Sequence, residues 1–316
     1  MDATLNTMVE SRQHSKGSKV VGITGTRGFL AKALLGSSRS SKNRVITLAR
    51  RPSETAAPSV ESRCLDLSNE TVEPDLAGID TLVHVAAETG KASRTRFDAI
   101  NNLATRRLLI AAREAGVSKV IYISSIAVRS PLSHLYPYAR SKQAAEQAVR
   151  DSQIPYIILR PTMVLGPGSP IGTALERLTR LPVLPLFGGA LAKVQPIDVQ
   201  DLAEYIWMLV EGSGGESSKG SIVEIGGAEI VTMRALMMRF CERARGRCKP
   251  SVVVPVRWML WPLYFAEPLL LPLLPVTAGQ LTGFICDGCC DPQLKDVSFI
   301  PSHDLPSMIE RTISLR

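Results

Sequence analysis

Between residues 19 and 160 the chain repeats one pattern: four or five apolar residues in a row, then a longer stretch with apolar positions every three or four residues. Runs this short, flanked by turn formers, predict buried strands, and the stretches between them predict amphipathic crossover helices. The strand candidates are 20–24, 45–48, 81–85, 120–123 and 156–159. Residues 97–115 show apolar positions at helical spacing with arginines on the other side, and Gly116 stands where such a helix would end. Alternating strand and helix predicts an α/β fold with a doubly wound parallel Rossmann sheet.

After Pro161 the pattern gives way to proline- and glycine-rich sequence, as at 165–170 and 181–186, which predicts loops and short elements. Two pieces return to the earlier pattern, an amphipathic helix over 198–210 and a strand over 221–225. The expected organisation is therefore a flexible leader at 1–18, a nucleotide-binding Rossmann domain at 19–165 plus 195–226, and a smaller substrate lobe at 166–194 plus 227–316.

At 316 residues, with 45% hydrophobic and 21% charged side chains, the chain can bury a large core and is not of a disordered composition. Residues 1–18 lack the apolar core of a signal peptide. Six scattered cysteines suit a reducing compartment, so a cytoplasmic location is expected. The net charge of +8 raises nucleic acid as a partner. The basic residues are nevertheless dispersed, aromatics make only 5%, and no nucleic-acid motif accompanies them. An anionic cofactor or a membrane surface accounts for the charge equally well.

Chemistry enters at the end of the first strand candidate, where Gly25, Thr26, Arg27, Gly28, Phe29 and Leu30 lead into a helix, with Ala31 after them. Gly25 permits a tight turn, Gly28 lets backbone approach a pyrophosphate, and a small Ala31 lets helix pack on strand. The amides of that helix start would hold phosphate charge. Cofactor choice turns on the end of the second strand, which reads Leu48, Ala49, Arg50, Arg51, Pro52, Ser53 and carries no carboxylate. Arg50, with Arg27 from the turn, suits a 2′-phosphate, so NADP is expected over NAD.

Tyr138 and Lys142 stand four apart in a helical pattern over 138–150, so phenol and ammonium emerge on one face. A phenol titrates near ~10 in water, and a neighbouring ammonium favours its ionised form. The pair can then move a proton to or from a carbinol oxygen. Ser125 follows the 120–123 strand at the sheet's carboxyl edge, where its hydroxyl can hold the reacting oxygen.

These segments resemble the short-chain dehydrogenase/reductase superfamily, in its extended or atypical branch with the NAD-dependent epimerases and dehydratases. The similar stretches are 24–30, Asp66 and Leu67, 84–87, 101–105, Ser124 and Ser125, 138–142, 160–162, 199–203 and 225–227. The resemblance implies that Tyr138 is the acid/base, that Lys142 binds the nicotinamide ribose and lowers the tyrosine pKa, and that Ser125 polarises the substrate oxygen. It implies that Asp66 and Leu67, after the third strand, lie by the adenine, that Val85, Ala86 and Ala87 line the cofactor, and that Asn101 takes a proton-relay place. Arg129 after Val128, and the short interval to Tyr138, depart from the sugar-nucleotide epimerases. The tail around 273–281 is similar to atypical members that include a Rossmann-type accessory subunit of respiratory complex I.

The expected activity is NADP-dependent interconversion of a carbonyl and an alcohol on a small, moderately apolar molecule. Epimerisation or dehydration of a nucleotide sugar, and a non-catalytic NADPH-binding assembly or redox-sensing protein, are the alternatives. Residues 258–276 are rich in leucine and tryptophan, but prolines at 262, 268, 272 and 275 argue against a spanning helix. The segment reads first as part of a hydrophobic substrate lobe; because a basic stretch precedes it, peripheral membrane contact through 239–276 is the alternative, and a small-molecule substrate is the expected partner, with a homodimer left open. Cys286 and Cys289 have metal-ligand spacing but need two more ligands. Cys241 and Cys248 would have to fold back to supply them, and the histidines at 14, 84, 134 and 303 lack ligand spacing, so no metal is expected. His84, inside an apolar strand, reads as structural.

Overall fold

The computed structural model describes residues 19–51, 60–71, 73–212, 220–247, 249–274, 276–296 and 298–313. The leader at 1–18, Pro52, Ser53, Cys248 and Pro275 lie outside the described residues. The chain forms β1 (Val20–Thr24), α1 (Phe29–Gly36), β2 (Arg44–Ala49), β3 (Val60–Cys64), β4 (Thr81–His84), α2 (Ala104–Glu114), β5 (Lys119–Ile123), α3 (Pro137–Asp151) and β6 (Tyr156–Pro161). It continues through α4 (Pro170–Thr179), α5 (Val199–Glu211), β7 (Ser221–Ile225), α6 (Met233–Arg245), α7 (Arg257–Leu270), α8 (Ala278–Ile285) and α9 (Leu305–Ile313).

The seven strands make one parallel sheet in the order β7-β6-β5-β4-β1-β2-β3. Strands β1, β4 and β5 are almost wholly buried, because helices cover both faces of the sheet. One face packs on α1 and α5, where the Trp207 indole donates to Leu34 O at 3.0 Å. The other packs on α2 and α3. From β1 the chain winds outward through β2 and β3, and from β4 it winds the other way, so the crevice where ligands bind in such folds lies above the tips of β1 and β4.

Three local outcomes go beyond the pattern. Strand β3 has no apolar run, since it is the sheet edge, and its Glu61 pairs with Arg44 and Arg63. The helix over 97–115 is interrupted: a short helix at Arg94–Phe97 passes into a π-helical turn at Asp98–Leu103 before α2 begins. Segment 166–194, read as loops and short elements, contains the ten-residue α4, started by the Ser169 side chain accepting from Gly172 N with Pro170 behind it. Two further apolar clusters lie beyond the sheet, one around α4, α6 and α9 and one between α7, α8 and Leu135.

Candidate active site

Gly25 ends β1 in the left-handed region, at φ 71°, and its carbonyl accepts from Gly28 N at 2.8 Å, closing the turn. A Cβ at Gly25 would stand 2.7 Å from the Ala86 Cα, so only glycine lets this turn touch the 85–87 loop. Gly28 caps α1 without a side chain, and no acid occupies the first turn of that helix. The first amides of α1 therefore face the turn without a side-chain acceptor, as a pyrophosphate requires. Bare backbone, a glycine cradle and open amides are the features a dinucleotide fits.

The two loops are joined by Thr24, the first residue of the 24–30 stretch, to which motif reading gave no role. Thr24 Oγ1 accepts from Val85 N at 3.1 Å and Ala86 N at 3.0 Å. Its own proton then goes to His84 Nδ1 at 2.8 Å, which leaves His84 Nε2–H to donate to Thr105 at 2.9 Å. Burial, with the Lys142 ammonium adding to it, pushes the His84 pKa down to about 3. The imidazole is thus neutral and fully bonded, a structural histidine between two loops.

Arg27 and Arg50 are both exposed at this end of the sheet, and Arg27 has no side-chain partner among the described residues. Asp66, beyond β3, accepts from the Ser68 amide and hydroxyl at 2.9 and 2.6 Å. These bonds, with Arg50 nearby, hold its carboxyl below the usual carboxylate range. Leu67 is half-buried and its carbonyl accepts from Arg107 at 3.0 Å.

Ser125 lies just past β5 and Tyr138 opens α3, while Lys142 follows one turn later, buried to 2% exposure. Burial pushes the Tyr138 phenol up to about 12, and a hydrogen bond from Ser125 pulls the other way. At neutral pH the phenol keeps its proton. The Lys142 ammonium donates to Ile123 O at 2.7 Å and lies 4.7 Å from the Tyr122 ring centre. Burial lowers its pKa to about 7, although Glu146 one turn further along draws it upward. The structure thus brings Ser125 and Tyr138 into hydrogen-bond contact past the tip of β5, while the Lys142 ammonium turns onto the last carbonyl of that strand. The force on the tyrosine is burial rather than the cationic neighbour the sequence suggested.

Asn101, inside the π-helical turn, uses its whole amide: Oδ1 accepts from Glu88 N at 2.7 Å, and Nδ2 donates to Glu88 O at 3.1 Å and Ser141 Oγ at 3.0 Å. Ser141 Oγ in turn donates to Tyr138 O at 2.8 Å. Asn101 therefore ties the end of the 85–87 loop to the helix that carries Tyr138. A second missed feature is a buried charge chain: Ser124 and Arg160 bond Glu146, Arg160 bridges to Glu224, and Glu224 pairs with Arg129. Burial pushes the Glu146 carboxyl up, but the bonds from Arg160 and Ser124 outweigh it and hold its pKa below the usual value. Glu146 continues the 138, 142 spacing by four more, which is the signal that would have found it.

A cleft of about 420 Å3 opens beside Ser125, lined by Ile126, Arg129, Pro131, Ile285, Cys286, Asp287 and Cys289. Cys241 is buried with its thiol on Arg247 O, and among the described residues no group of three or more His, Cys, Asp or Glu is arranged to hold a metal.

Comparison with known proteins places this geometry. The profile of the NAD dependent epimerase/dehydratase family matches residues 21–226. The chain is 34% identical over 195 residues to the ceramide reductase of Caulobacter vibrioides, a match that spans 58% of this chain and only 58% of that relative. It is 26% identical over 321 residues to the 2-alkyl-3-oxoalkanoate reductase of Stenotrophomonas maltophilia, covering 92% of this chain and 97% of that one. Its fold matches the UDP-glucuronic acid 4-epimerase of Bacillus cereus, solved with UDP-glucuronic acid and NAD, at a TM-score of 0.71, 18% identity, and 94% and 98% coverage.

Proposed function

The chain belongs to the NAD-dependent epimerase/dehydratase family, and from that premise we propose that it is an NADP-dependent oxidoreductase interconverting a carbonyl and an alcohol on a small, moderately apolar molecule. The observation that carries this reading is the phenol of Tyr138, bonded to Ser125 one helical turn from a buried lysine, at the edge of the crevice that holds the glycine turn. When bound, the reduced nicotinamide supplies hydride to the carbonyl carbon. Ser125 donates to the carbonyl oxygen and fixes its place. Tyr138 gives its proton to that oxygen as negative charge develops there, and takes one back in the alcohol-to-carbonyl direction. Lys142, titrating near 7, stands by to stabilise the phenolate left behind.

The apolar substrate class is supported by the names of the reductase relatives, one acting on a ceramide and the other on a 2-alkyl-3-oxoalkanoate. NADP is proposed over NAD because Arg27 and Arg50 flank the end of β2, and no carboxylate follows that strand among the described residues. Ligands that bind only the folded state raise its melting temperature. NADPH should therefore shift the Tm more than NADH at equal concentration, and long-chain ketones or β-keto acids should drive NADPH consumption. Stabilisation by UDP-sugars, with oxidised cofactor retained through purification and no consumption of NADPH, would overturn the proposal in favour of an epimerase.

A further inference from the structure

Helix α7 carries apolar side chains on both its inward and its outward face. Its only acid, Glu267, faces the interior, where its carboxylate accepts from Ala278 N at 2.6 Å and starts α8. Leu260 is buried beside it. The opposite face carries Trp258, Trp261, Phe265 and Leu269, exposed by 85%, 52%, 68% and 85%, at spacings of three and four that place them on one side of the helix. Leu273, just beyond, is 81% exposed. A helix on a water-facing surface shows the reverse arrangement.

We propose that this face of α7 docks on an anionic lipid bilayer, lying in the plane of the headgroups with its aromatic side chains at the acyl boundary. The aromatic and leucine content matches interfacial helices, whose apolar face sinks into that boundary and whose tryptophans sit at headgroup level. Among the described residues no helix is long and apolar enough to cross a membrane, so the contact is peripheral. Charge selects the partner. From residue 243 to 286 the sequence holds five cations, Arg243, Arg245, Arg247, Lys249 and Arg257, against the single acid that faces inward, and of these Arg243 is paired with Glu310 and Lys249 donates to Leu181 O. Arg245 and Arg247 are exposed and make no side-chain bond or ion pair among the described residues. At the other end, the exposed Lys91 donates to Pro272 O at 3.3 Å and also to Leu274 O, which puts an ammonium next to Leu273. A second copy of this chain would bring Arg245, Arg247 and Lys91 against the same cations, and the only acid of α7 faces inward. Anionic lipid answers them directly.

The inward side of α7, opposite this face, packs towards the site already described. Helices α7 and α8 pack on Leu132 and Leu135, and the ring of Tyr136, two residues before Tyr138, lies against Gly279. An apolar substrate held in the bilayer would thus meet the protein close to its reactive phenol.

The test uses the full chain with vesicles of phosphatidylcholine alone or mixed with phosphatidylglycerol. Flotation should recover the protein with the anionic vesicles, at least tenfold less at high salt, and the fluorescence of Trp258 and Trp261 should shift to the blue on binding. The triple variant Trp258→Ser, Phe265→Ser, Leu269→Ser, altered only at exposed positions, should keep the wild-type Tm and lose at least tenfold in binding. Arg245→Gln with Arg247→Gln should weaken binding to the anionic vesicles alone. No flotation at low salt, full binding by the triple variant, or a dimer in sedimentation that the triple variant dissolves would each overturn the proposal.

Discussion

A lysine 2% exposed is costly to bury, and its environment shifts its hold on a proton. Lys142 titrates near 7 in the folded protein against an ordinary 10.5, so between those values the unfolded chain holds more protons than the folded one. Stability therefore rises with pH across that interval until the buried tyrosines, which ionise far above their ordinary 10 when folded, reverse the trend. Lys142→Met should flatten the rise in Tm between about pH 7 and pH 10, and should lower carbonyl reduction by about 100-fold or more. Chemical denaturation across pH and initial rates check both halves. Tyr138, Lys142 and Ser125 were legible because helical spacing and strand ends are local properties of sequence. The roles of Thr24 and Thr105, though both lie in stretches similar to the family, were not, because their bonds to His84 join strands and helices far apart in the chain.

At the scale of elements, α7 shows where sequence rules meet tertiary compensation. The four prolines argue against a spanning helix, yet Pro262 and Pro268 sit inside a fourteen-residue one. A proline leaves the carbonyl four residues back without its donor. For Pro268 that carbonyl belongs to Tyr264, and Arg94 supplies the missing donor at 2.7 Å, with its guanidinium 3.8 Å from the Tyr264 ring centre. Arg94→Leu should thus cost about 1–3 kcal/mol, read as a lower Tm. Arg94→Lys should recover part of that loss, while an unchanged Tm in Arg94→Leu would show that Tyr264 O finds another donor. The partner lies 170 residues away in the chain, so no reading of the proline pattern alone finds it. The π-helical turn at 98–103 was equally hidden, since its apolar spacing reads as continuous helix.

At the scale of the whole molecule, the parallel sheet, its winding in two directions and the place of the crevice followed from the strand and helix periods alone. The charge chain from Glu146 through Arg160 and Glu224 to Arg129 did not. Those residues come from α3, β6, β7 and the turn after Ser125, and a charge in a strand ordinarily signals an exposed edge rather than a buried network. This chain braces the carboxyl edge of the sheet beneath Ser125 and Tyr138. The fold thus delivers one phenol, its hydroxyl partner and a buried amine to a crevice with a glycine turn, and the account stands on the proton that the phenol carries. The most direct measurement is carbonyl-dependent NADPH oxidation by Tyr138→Phe beside the wild type, with NADPH affinity measured on both. The account predicts a rate lowered by about 100-fold or more with the affinity for NADPH unchanged. Equal rates in the two proteins would contradict it.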